Sequence, residues 1–115
     1  MRRLIQTTAL CVALATSAQA DITYQGRDAQ GLHCAAMFGV VVLVLEKAGR
    51  MTNAEAQESF LVAKIILDQL PGTEAEKHRA LSQRGAKILR TRSGEQLVHE
   101  FLSTSKWCQR EFLTQ

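Results

Sequence analysis

The chain has 115 residues, 14 basic and 11 acidic, with a formal net charge of +3 and 46% hydrophobic residues. That length holds one modest domain rather than two. The charge is too slight to argue for nucleic acid, and part of it lies outside the domain, because Arg2 and Arg3 form the basic start of an export leader.

Leu4 to Ala15 is mainly apolar and is followed by Ala18-Gln19-Ala20, the small-x-small pattern recognised by signal peptidases. The apolar stretch falls short of the ~20 residues that span a bilayer, so it reads as a cleaved signal and not as an anchor. The expected organisation is a signal peptide over 1–20, a polar lead-in over 21–31 and a single helical domain over 32–115. The mature protein is expected to be exported, to the periplasm or beyond, and not transmembrane.

Processing at Asp21 removes two of the fourteen basic residues and leaves twelve against eleven acidic ones. It also removes Cys11, so the odd thiol count becomes a pair, Cys34 and Cys108. Without a C-x-x-C arrangement to tune either thiol, such a pair in an oxidising compartment reads as a structural disulfide. Closing a loop of roughly 75 residues stabilises by about 4 kcal/mol in the chain-entropy model.

Leu32 to Leu45 is almost wholly apolar, and Gly49 suits the left-handed position after a helix. Val40-Val41-Val42-Leu43-Val44 has the β-branched content of a strand, but no second run of that kind exists to pair with it. A lone strand leaves its backbone groups unsatisfied, so the segment is expected to be a helix over about 29–48. Such a helix, apolar on every side, is either central to its own fold or buried by a partner. Thr52-x-x-Glu55, Thr73-x-x-Glu76 and Ser93-x-x-Gln96 have capping-box spacing and start helices over about 53–70, 74–92 and 94–112, with Pro71-Gly72 ending the first of them. Gly39 and Gly85 each weaken their helices by about 1 kcal/mol relative to alanine. Four helices with short loops make an all-α antiparallel four-helix bundle. Its first and last helices are antiparallel neighbours, which brings Cys34 and Cys108 together.

No residue pattern points to catalysis or to a cofactor. The serines stand in no nucleophile motif, no glycine-rich phosphate loop follows a strand, and haem attachment by C-x-x-C-H is absent. His33 and Met37 share a helix face and have soft-metal donor atoms, but two ligands do not make a site, so no metal is expected. Charge is more informative. From Lys77 to Arg92 there are six basic residues and no acidic one, and on a helical wheel Arg79, Lys87 and Arg90 fall opposite Leu81 and Leu89, with Arg84 and Ile88 at the border. Arg79, Arg84, Lys87 and Arg90, with Trp107 off the apolar stripe of the last helix, are the expected partner-binding residues. The functional expectation is a non-enzymatic protein-binding or envelope interaction module, acting on an unidentified protein partner, a second copy or an anionic surface, and not on nucleic acid. The alternative is a carrier of a small ligand or metal in the periplasm.

Overall fold

In the computed structural model, which describes residues 21–114, reciprocal capping boxes set the starts of three helices. Thr52 Oγ1 accepts from the Glu55 N–H at 3.1 Å while Glu55 Oε1 accepts from the Thr52 N–H at 2.8 Å, opening α2 (Asn53–Asp68). Thr73 and Glu76 repeat the exchange at 3.1 and 2.8 Å before α3 (Glu74–Thr91), and Ser93 and Gln96 do so at 3.2 and 2.7 Å before α4 (Gly94–Leu113). Each box satisfies two N–H groups that a helix start otherwise leaves free. The leader and its cleavage site lie outside the described residues.

The first helix, α1 (Gly26–Lys47), starts within the stretch expected to be lead-in, with Asp28 in its first turn, so only residues 21–25 are extended. An acidic side chain there complements the positive end of the helix dipole. At the other end Gly49 takes φ +75°, and Arg50 N–H reaches back to the Leu45 carbonyl at 2.9 Å. That closure suits glycine because a β-carbon disfavours the left-handed region.

The four helices form a bundle with no strand among the described residues, and Cys34 and Cys108 join α1 to α4 with their Cα atoms 5.7 Å apart. The helices are not equivalent. Ala35, Ala36, Met37, Val41 and Val42 of α1 are fully buried, and α1 packs against all three others. By length and composition α1 is long and apolar enough to cross a membrane, yet more than half of it is covered by the other helices. Its apolar character is that of a core axis.

Within α1, Met37–Val41 forms a π-helical turn. A π-turn holds one extra residue, so side chains beyond it sit one position on from uninterrupted α spacing. Around it lie two core clusters. One gathers Cys34, Phe38, Ile66, Leu70 and Phe112 near the disulfide, and the other gathers Met37, Val41, Leu45, Ile88 and Leu97 at the far end. Phe38 and Phe101 meet edge to face at 5.6 Å, a favourable aromatic geometry.

Helix α3 rests on α1 through a glycine. A β-carbon at Gly85 would stand 2.6 Å from Val40 Cγ1, so glycine permits this approach and is more than a weak point in the helix. The contact also sets the rotation of α3. Ile88 is 1% exposed and belongs to the core, whereas Leu89, expected on the apolar side, is 36% exposed.

Candidate functional site

Helix α3 scarcely meets α2 or α4, although both rest beside it on α1. The bundle is therefore open along both flanks of α3, and the flanks differ in chemistry.

On the α2 side lies an apolar furrow of about 400 Å³, with Gly39 as its floor, Phe60, Ala63 and Leu67 on one wall and Leu81 on the other. Its rim holds charges of both signs in local pairs: Lys64 with Asp68 at 3.4 Å and His78 with Glu74 at 3.9 Å. Leu43 stands one turn beyond Gly39 on α1 and is 49% exposed, and Leu61 on α2 is 66% exposed. The furrow was not among the expected sites. Its apolar lining on α2, Phe60, Ala63 and Leu67, recurs at helical spacing in the sequence and so reads there as core.

On the other flank of α3 the extended residues 21–25 run over a smaller cleft of about 240 Å³, bounded by Tyr24, Leu32, Ala80, Arg84 and Lys87. This strap is held at both ends. Asp21 accepts from Arg79 Nη1 at 3.1 Å and from Gln83 Nε2 at 3.0 Å, and the Tyr24 hydroxyl donates to the Pro71 carbonyl at 2.7 Å. The Gln83 hydrogen bond, followed by that of Arg79, keeps the Asp21 carboxyl below its ordinary range. Burial, then the nearby Glu76 and Asp28 carboxylates, pushes the Tyr24 phenol up.

The cationic face expected on α3 is thus partly neutralised from within. Arg79 meets Asp21, Lys77 is 6% exposed with its ammonium 3.4 Å from Glu74, and Arg92 meets Glu100 at 2.9 Å. Arg84, Lys87 and Arg90 have no ion-pair partner among the described residues. Arg84 and Lys87 line the cleft, and Arg90 is exposed in the last turn of α3. Trp107 is half-buried on the rim of the core, edge-on to Phe112 at 6.3 Å, apart from both flanks of α3.

No family model, curated protein or solved structure matches the chain. Function must then be read from geometry.

Several titratable side chains are engaged in holding the fold. His33 Nε2 lies 2.9 Å from Glu100 Oε2, and Arg92 bonds the other oxygen of the same carboxylate, so one acid bridges α1 and the end of α3. Burial pushes the Glu100 carboxyl up, but hydrogen bonds and charge from Arg92 and His33 outweigh it and hold it below the ordinary 4.5. Met37, the other donor considered for a soft metal, is fully buried in the core. Among the described residues no three His, Cys, Asp or Glu side chains group as metal ligands. Thr52, Thr73 and Ser93 cap helices, while Thr91, Ser103, Thr104 and Thr114 donate to backbone carbonyls. A hydroxyl nucleophile needs a base within hydrogen-bond reach, and no described hydroxyl bonds a histidine.

Proposed function

We propose that the protein is a non-enzymatic binding module of the cell envelope that takes an amphipathic helix of a protein partner in the furrow between α2 and α3. One observation carries this reading: α2 and α3 share α1 as their support and leave the apolar strip between them uncovered. A trough between two helices resting on a third is where another helix seats, with anchors at i, i+3 or i+4 and i+7. The rim of Lys64, Asp68, Glu74 and His78 carries both signs of charge. Such a rim suits the mixed polar flanks of a helix and opposes an anionic membrane, which would repel Asp68 and Glu74. The apolar leader and the disulfide are compatible with export, and periplasmic or secreted residence belongs to the same proposal.

The test is selection of displayed amphipathic helices on the mature protein, followed by binding to Phe60→Glu, with circular dichroism as the check of fold. Enriched helices should share the apolar repeat and lose at least about tenfold in affinity for the variant. No enrichment, or binders indifferent to Phe60→Glu, overturns the proposal. A concentration-dependent dimer abolished by Phe60→Glu also overturns it, because a second copy would then be the occupant. A small-ligand carrier is the second reading, favoured by the cleft beneath the strap.

A further inference from the structure

We infer that the cleft beneath the N-terminal strap binds a small organic carboxylate, its charge on Arg84 and Lys87 and its carbon body against Leu32 and Ala80. The inference is independent of the helix-binding furrow, which lies on the other flank of α3.

The molecule already seats a carboxylate on this part of α3. Asp21 lies between Arg79 Nη1 and Gln83 Nε2 at 3.1 and 3.0 Å, two donors one helical turn apart. One turn further on, Arg84 and Lys87 repeat a pair of donors on the cleft wall with no carboxylate on either. Arg84 is half-buried, so part of its hydration has been lost without a counter-charge to replace it. A planar guanidinium binds a carboxylate through two parallel hydrogen bonds, and the lysine adds a point charge.

The rest of the cleft selects the remainder of the ligand. Leu32 and Ala80 are buried core residues that also face the cleft, and Ile22 of the strap adds apolar surface above them. A bare inorganic anion leaves that surface uncovered, and a neutral apolar molecule leaves both cations unpaired. A short carboxylic acid satisfies both, and about 240 Å³ is several times the ~30 Å³ share of one water.

Hexanoate is the probe, with hexanol and inorganic phosphate as its two halves, followed by amide chemical shifts of the mature protein. Hexanoate should give saturable shifts confined to residues 22–24, the turn around Leu32 and residues 80–87, and should bind at least about tenfold more tightly than hexanol or phosphate. Arg84→Met keeps an apolar stem and removes the charge, and should weaken binding by about tenfold or more. Arg90→Met, which removes an unpaired charge outside the cleft, should leave affinity within about twofold. No saturation at millimolar hexanoate, equal losses in the two variants, or phosphate binding as well as hexanoate would each overturn the inference.

Discussion

Replacing Gly85 by alanine sets helix propensity against packing at a single contact. In a solvated helix the change stabilises by about 1 kcal/mol. Here the new β-carbon would stand 2.6, 2.8 and 2.9 Å from Cγ1, Cγ2 and Cβ of Val40. These atoms form a β-branched side chain that is stiff at χ1 and cannot swing aside as a long chain would. Overpacking of this kind costs about 1–3 kcal/mol, and three simultaneous close contacts argue for the upper end. The net expectation is a loss of about 2 kcal/mol, which for a domain of this size lowers the thermal midpoint by about 10 °C. Thermal and urea denaturation of the oxidised protein measure it. Val40→Ala removes both Cγ contacts and leaves only the Cβ atoms at 2.9 Å, so it should relieve most of the clash, giving a favourable coupling of about 1–2 kcal/mol in the double-mutant cycle. Gly94→Ala is the control, since nothing lies within 4 Å of its added carbon, and it should stabilise by about 0.4–1 kcal/mol. A Gly85→Ala protein as stable as the parent would refute the close approach of α3 to α1.

Three further outcomes are expected. Replacing Cys34 and Cys108 together by alanine should cost about 4 kcal/mol, and the oxidised parent should be lighter than its reduced form by the mass of two hydrogens; equal masses would sink the bridge. Because the Glu100 carboxyl is held below its unfolded value, the stability it adds is present above about pH 4.5 and is lost as pH falls through the folded value. Glu100→Gln should therefore be less stable than the parent at pH 7, with the gap closing below about pH 4; a gap independent of pH would remove Glu100 as the cause. Tyr24→Phe deletes the hydrogen bond to the Pro71 carbonyl, so it should cost about 1 kcal/mol and speed amide exchange in residues 21–25 ahead of the rest of the domain.

Local chemistry made much of this fold legible in the sequence. Thr52, Thr73 and Ser93 each announce a helix three residues before their Glu or Gln partner, and the structure closes all three boxes. Cys34 and Cys108 were readable because an antiparallel bundle places the start of its first helix beside the end of its last. What escaped was set by contacts distant in the chain. The face of α3 turned inward depends on Gly85 meeting Val40, which no wheel drawn for α3 alone contains, so Leu89 was placed inward and Ile88 at the border. The π-turn over Met37–Val41 leaves the apolar run unbroken and so carries no periodic signature. The cationic face looked uniform because Asp21 and Glu100, which neutralise Arg79 and Arg92, lie on other segments. An α1 apolar on every side leaves two readings open, a central helix or one covered by a partner; it is the central axis, and the uncovered strip lies between the two helices resting on it.

The use of α1 as a common axis has a consequence for the order of events in synthesis. Helix α1 leaves the ribosome before any of the three helices that cover it, and Cys108 follows its partner Cys34 by 74 residues. At ~5–20 residues per second, the stretch from Cys34 to Cys108 takes several seconds to appear. During that interval the most apolar of the four described helices is without its cover. Of the four described helices, α1 is the one whose shielding by a chaperone would matter most.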